Sequence, residues 1–374
     1  MSQELTGTVP QKEKIVHRTL TGLNPVIESL LAAVVGLLVG AILMLIWGYN
    51  PWKAYSALLQ GAYGDTYGWA SSAARAVPLI LTALTFSIGV RAGMTNIGAE
   101  GQVYIGAVAA VMVGYFTLPT GLHLIVGLIF AMFAGAIWSL GPAILKITRG
   151  VNEVISTIMF NWIARFLTFY MVAFVLVDPM RGEKTISIPK SARFPILIRG
   201  TDLSWSILAA VVFAIIIYFL LWHTVTGYEV RAAGLNPSAA RYGGIKSKRT
   251  MFLAFILGGF SAGLAGATIV MGNPPTYAII SGMPQLLNAG FDGMAVAMVG
   301  RNHPIGILIA ALFFGGLTAG GRMMQFTAGV PLEMVRVVEG VIVLTMAIPE
   351  LIRIFRVARS SWSNLRGMFR RRSA

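Results

Sequence analysis

Two six-residue stretches share one pattern: Asn96-Ile97-Gly98-Ala99-Glu100-Gly101 and Asn288-Ala289-Gly290-Phe291-Asp292-Gly293. Each sets an amide and a carboxylate among glycines at the head of an apolar run. A carboxylate at bilayer depth costs about 2.5–3.5 kcal/mol on insertion scales, so it is seldom placed there without a role. Amides and carboxylates hydrogen-bond hydroxyl groups. If each hexad is helical, its Asn and acid share a face one turn apart, and the glycines allow close helix approach or a local break. Two readings stand. Either Asn96, Glu100, Asn288 and Asp292 line a polar constriction for a hydroxylated solute, or the same polar groups clamp neighbouring helices.

A second polar cluster comprises Asn152, Glu153, Ser156, Thr157, Asn161 and Arg165. Glu153, Thr157 and Asn161 keep an i, i+4, i+8 stripe, which is one helical face. Asn161 joins the candidate path. Glu153 suits a gate or a first-turn acid at a helix start. Arg165 and Glu339 are a candidate pair for a gate or helix clamp.

The polar stretch 227–244 is the most informative segment outside the apolar runs. Asn236 is a good N-cap, Pro237 fits the first helical position, and Gly243 or Gly244 can end the turn. This predicts a short helix over 237–242, with Gly234 closing a turn before it. An ordered helix in a loop suggests a docking surface, made of Arg231, Asn236, Pro237, Ala240, Arg241 and Tyr242, with a merely solvated connector as the alternative.

These groups need a membrane scaffold. The chain has 374 residues, 56% hydrophobic and 11% charged, against about 25% charged in a soluble domain. Apolar segments fall at 26–47, 76–90, 97–116, 122–145, 154–177, 205–222, 251–271, 287–299, 305–319 and 335–348. About 20 helical residues cross a 30 Å hydrocarbon core. The expected fold is therefore an all-α integral membrane protein with about ten transmembrane helices. It has a tail at 1–25, a membrane domain at 26–350 with a loop at 224–250, and a basic tail at 351–374. Lys12, Lys14, Arg18, Lys146, Arg149, Arg231, Lys246, Arg249, Arg353 and Arg356 then fall on one side, which makes both termini cytoplasmic. The segments at 76–90 and 287–299 are short, and they read as broken or buried crossings. The hexads open segments three and eight. An odd offset points the copies in opposite directions and predicts a five-plus-five inverted repeat, with a chance likeness of the two hexads as the alternative, since the sequence after them aligns poorly. Gly259-x-x-x-Gly263 and Ala262-x-x-x-Gly266 offer small-residue faces for helix packing.

Other chemistries are disfavoured. There is no cysteine, and His17, His123, His223 and His303 form no metal-binding spacing. The net charge of +15 follows the membrane topology, with no zinc spacing or RNA-binding signature to suggest nucleic acid. No phosphate-binding loop for ATP is recognisable. A self-sufficient ion- or proton-coupled carrier, using Glu100, Glu153, Asp292 and Glu339, is a competing class.

Four stretches carry a family likeness: Gly93–Gln102 (GMTNIGAEGQ), Arg149–Thr157 (RGVNEVIST) with Asn161, Gly234–Ile245 (GLNPSAARYGGI) and Phe291–Asn302 (FDGMAVAMVGRN). In this order they resemble the signatures of ABC importer permeases of the branched-chain amino acid/simple sugar class, and within it those for nucleosides. The resemblance implies a helical inverted-repeat fold and a bacterial plasma-membrane location. It implies a second homologous permease, an ABC ATPase that uses ATP and Mg, and an extracytoplasmic substrate-binding lipoprotein. The stretch at 234–245 would then be a coupling helix seated on the ATPase, and a nucleoside in the path would stack its base on Phe160 or Phe291. This chain would bind no cofactor or metal itself and catalyse nothing. Sugar or amino-acid cargo remains an alternative to a nucleoside.

Overall fold

The computed structural model describes residues 25–345. The expected tails at 1–25 (but for Pro25) and 351–374, and the last residues of the tenth segment, lie outside the described residues. The helices are α1 (Pro25–Ile46), α2 (Pro51–Tyr63), α3 (Thr66–Arg91), α4 (Ala99–Val113), α5 (Leu122–Arg149), α6 (Glu153–Tyr170), α7 (Ser206–His223), α8 (Val225–Leu235), α9 (Pro237–Tyr242), α10 (Ser247–Met271), α11 (Ala289–Val299) and α12 (Pro304–Ala328). Residues 333–345 are also helical.

The chain divides into two units. In the smaller, whose described residues are 25–42 and 337–345, Gly36 lets α1 lie directly against Ile342. The larger unit, 43–336, holds both hexads. Six of its helices are long and apolar enough to cross a membrane: α3, α5, α6 with the turn after it, α7, α10 and α12. Leu30–Ile46, Ala99–Val113 and Ala289–Val299 are apolar but shorter.

Helices α3 and α10 are the most buried of the long six. The small residues of α10 explain its position. Gly259 lies on the backbone of Gly135 and Ala136 in α5, Gly263 on Ala131, and Gly266 on Val103 and Ala107 in α4. Bare backbones can approach this closely only where side chains are absent. Hydroxyls then tie the helices together. Ser261 donates to Leu81 O at 2.6 Å, Thr85 to Gly258 O at 2.9 Å, and Ser139 to Phe255 O at 2.9 Å.

Several expectations are corrected. The segment expected at 76–90 is the second half of α3, a helix of 26 residues. Its first half carries Ser71, Ser72 and Arg75, which broke the hydropathy run while leaving the helix intact. Ser72 meets its need by donating to Ala62 O at 2.8 Å. Helix α2 was not foreseen. The fold is also not purely helical. Helix α6 runs into a π-helical turn, Met171–Val175, followed by an antiparallel ribbon of β1 (Val177–Asp178) and β2 (Arg181–Thr185). The segment before the second hexad joins this ribbon: Thr185 N donates to Ile279 O, Ile188 N to Tyr277 O and Ser281 N to Glu183 O.

Candidate translocation site

The hexads do not put each Asn and its acid on one helical face. Asn96 precedes α4, whose N-cap is Gly98. Asn288 is itself the N-cap of α11, in the left-handed conformation at φ 65°. Each hexad is a helix start, with its acid in the first turn. Only Gly98, the N-cap of α4, stands at a helix boundary; Gly101, Gly290 and Gly293 lie within the helices that the hexads open.

The two starts meet. Glu100 Oε1 accepts the Asn288 amide at 2.7 Å and the Tyr104 hydroxyl at 2.7 Å, and Oε2 accepts the Gly290 amide at 2.6 Å. Glu100 is 4% exposed. A Cβ on Gly290 would collide with the Glu100 amide, and one on Gly293 with the Thr82 side chain. Glu100 thus caps the N-terminus of α11, where free amides and the positive end of the helix dipole favour a carboxylate. Tyr104, one turn after Glu100, escaped the sequence reading, although its i, i+4 spacing was a legible signal.

Asn161 does the matching service for α4. Its Oδ1 accepts the Gly101 amide at 2.8 Å and its Nδ2 donates to Ile97 O at 2.9 Å. At the far end of α4, buried His123 bridges Val113 O at 3.0 Å and Ser191 Oγ at 2.9 Å. A carbonyl only accepts, so Nε2 carries the proton and Nδ1 accepts from Ser191 when the ring is neutral. Asn96 is buried as well. Its Oδ1 accepts the Gly98 amide at 2.9 Å, while Nδ2 and the nearby buried Gln102 Oε1 have no hydrogen-bond partner among the described residues.

The matching acid of the second hexad has a different fate. Asp292 is exposed, and Phe291 beside it is 40% exposed. Asn288 is half-buried. Phe160, the other candidate for stacking, packs on Trp138 at 5.7 Å and on Gly141. Glu153 pairs with Lys146 at 2.8 Å, tying the end of α5 to the start of α6. Arg165 lies over the Trp162 ring at 5.2 Å. Glu339 belongs to the other unit.

Helix α9 spans Pro237–Tyr242, with Asn236 Oδ1 accepting the Ser238 and Ala239 amides at 3.1 and 3.0 Å. Gly234 closes no turn. It lies inside α8 against the Arg91 carbonyl and Gly93, where a Cβ would not fit. Ala240 is buried, Arg241 is exposed, Tyr242 is 98% exposed and Leu235 89%. Arg231 turns inward instead, over Trp222 at 5.7 Å. Sequence reasoning missed Trp222 and Arg91, which nothing in their local pattern marks out.

Short half-helices meeting at their N-termini among long apolar helices are features of a membrane permease. The family model for the branched-chain amino acid transport system / permease component matches residues 69–347. The chain belongs to that family and is a multi-pass membrane protein. It is 38% identical over 337 residues to the guanosine ABC transporter permease protein NupP of Bacillus subtilis, covering 88% of this chain and 95% of the relative. It is 36% identical over 344 residues to the nucleoside ABC transporter permease protein NupB of Lactococcus lactis, covering 88% and 92%. The glucose ABC transporter permease protein TsgB13 of Haloferax volcanii is 31% identical over 346 residues, covering 87% and 88%. Bacillus subtilis also has a second similar guanosine permease, NupQ, and Lactococcus lactis a second nucleoside permease, NupC.

Proposed function

We propose that this chain is one permease subunit of an ATP-driven importer, and that its cargo is a nucleoside. Two relatives that align over most of their length, NupP and NupB, are named for guanosine and nucleosides. The observation that carries the reading is the pairing of exposed Phe291 with exposed Asp292 at the start of α11. An aromatic face suits a base, and a carboxylate accepts from ribose hydroxyls. Glu100, Asn96 and Asn161 then shape the path from behind, by holding the two half-helices. Weak contacts suffice, because a conduit must release what it admits.

The proposed topology is ten crossings in two inverted halves of five, with both termini cytoplasmic in a bacterial plasma membrane. The N-terminal meeting of α4 and α11 through Glu100 supports it. The partners are a second permease, an ABC ATPase that uses ATP and Mg, and an extracytoplasmic binding lipoprotein. Paired permeases among the relatives support the first of these. Helix α9, with Tyr242 exposed and with exposed Leu235 just before it at the end of α8, is the surface offered to the ATPase. Movement of α9 on ATP binding would rock the permease pair between outward and inward openings.

The test is uptake of radiolabelled guanosine by proteoliposomes holding the complete complex, with unlabelled uridine, glucose and leucine as competitors. Nucleoside-only competition is the expected result. Competition by glucose alone would favour the sugar reading to which TsgB13 points. Uptake that needs an ion gradient and no ATP would return the chain to the ion-coupled class.

A further inference from the structure

Four aromatic and cationic side chains converge on the Trp222 indole in the last turn of α7. The Arg91 guanidinium, at the end of α3, lies 5.3 Å from the ring centroid, and that of Arg231, in α8, lies 5.7 Å away. His303 meets the ring edge-on at 4.7 Å, and Tyr218 stacks at 5.6 Å. A ring face attracts cations most when they are drawn out of water. Arg231 Nε is buried without a hydrogen-bond partner among the described residues, so the indole is the attraction on that side.

Arg91 also reaches the path. Its Nε donates to Asn302 O at 3.0 Å and its Nη2 to Arg301 O at 3.3 Å. Those residues close α11: both are left-handed, and their amides bond Met298 O and Ala297 O. A guanidinium there meets the negative end of the α11 dipole. With Glu100 on its first amides, the 11-residue α11 is pinned at each end by a charge of the complementary sign.

Helix α8 is committed equally firmly. Gly227 sits on the Leu220 and Leu221 carbonyls and Gly234 on the Arg91 carbonyl, and a Cβ at either would collide. Asn236 then carries α8 directly into α9.

We propose that Trp222, held by Arg231 from α8 and Arg91 from α3, is the joint that transmits displacement of α8 and α9 to α11. The inference rests on reading α9 as the ATPase contact. When α9 moves, α8 carries the indole and Arg91 with it, and Arg91 draws the C-terminal carbonyls of α11. Because α11 is a short rod seated at its other end on Glu100, it tilts, and Phe291 and Asp292 tilt with it. Trp222 and Arg91 are positioning residues and touch no cargo.

The experiment uses the complete complex in proteoliposomes, reading subunit stoichiometry, ATP turnover and guanosine uptake. Trp222→Leu is expected to leave ATP turnover within about twofold and to cut uptake per ATP about tenfold, a typical size for a lost coupling. Trp222→Phe, which keeps a smaller π face, is expected to restore about a third of it. Uptake per ATP within about twofold of wild type in Trp222→Leu overturns the proposal. Should that variant fail to assemble, Arg91→Gln and Arg231→Gln keep the indole and are judged by the same thresholds. Tyr242→Asp separates the two readings: loss of ATPase from the complex supports the α9 contact, and retention of ATPase removes that contact and the joint together.

Discussion

The Glu100 carboxylate accepts the Gly290 amide at 2.6 Å, so the acid of one hexad caps the helix opened by the other. The two hexads match in sequence, yet their acids do different work. Glu100 is sealed into a contact between half-helices, whereas Asp292 is open.

Glu100 should matter for stability first. Glu100→Ala leaves the Asn288 and Gly290 amides and the Tyr104 hydroxyl without their acceptor. Each buried group stranded in this way costs about 1–3 kcal/mol. The expected outcome is a lower melting temperature and poor recovery of monodisperse protein in detergent. Glu100→Gln should fall between the two, because its amide nitrogen faces an N–H it cannot accept. A melting temperature equal to wild type for Glu100→Ala would refute the capping role.

Asn288 separates backbone from side-chain demands. Its φ of 65° lies in the left-handed region, and its side chain makes no capping bond. Asn288→Gly should therefore keep the fold, and Asn288→Val should lose about 1–2 kcal/mol or more through strain. Gly290→Ala should be worse than either, since its Cβ has no room beside Glu100. Thermal unfolding of the three variants in detergent ranks them directly.

Asp292 and Phe291 should behave in the opposite way to Glu100. Both are exposed, so Asp292→Asn and Phe291→Ala should shift stability by no more than about 0.5 kcal/mol. Guanosine uptake should nevertheless fall by about tenfold or more, the scale of one or two lost contacts of about 1.4 kcal/mol each. Unchanged uptake in both variants would move the path elsewhere on the chain.

His303 gives a pH signature. Burial first, and the nearby Arg91 charge second, hold its imidazole below the ordinary value. The unfolded chain thus binds a proton that the folded chain resists. The stabilising contribution of neutral His303 is full above about pH 6.5 and declines as pH falls through that value toward the lower folded one. Melting temperature should drop between about pH 7 and 5.5, and drop less in His303→Gln. Parallel pH profiles for the two proteins would exclude His303 as the source.

The membrane class, most of the apolar segments, the short helix after Asn236 and the small-residue faces of α10 were legible along the chain. Each depends on neighbours in sequence: hydropathy over about 20 residues, a cap beside its helix, a glycine every fourth position. The full length of α3 was hidden, because Ser72 satisfies its hydroxyl on Ala62 O across a helix pair that local hydropathy cannot register.

The amino-acid order by itself determined that two acids stand at matched helix starts in a lipid-compatible chain. It could not say that Glu100 turns toward Gly290 while Asp292 stays open, nor that Arg231 lies on Trp222 instead of facing outward. Those choices set residues 190 or more positions apart, or on separate helices, against one another. Only packing in three dimensions decides which polar group finds a partner and which is left for a solute. The physical reason is that a buried amide or carboxylate takes whatever complement the fold brings within about 3 Å, and sequence spacing does not encode that distance.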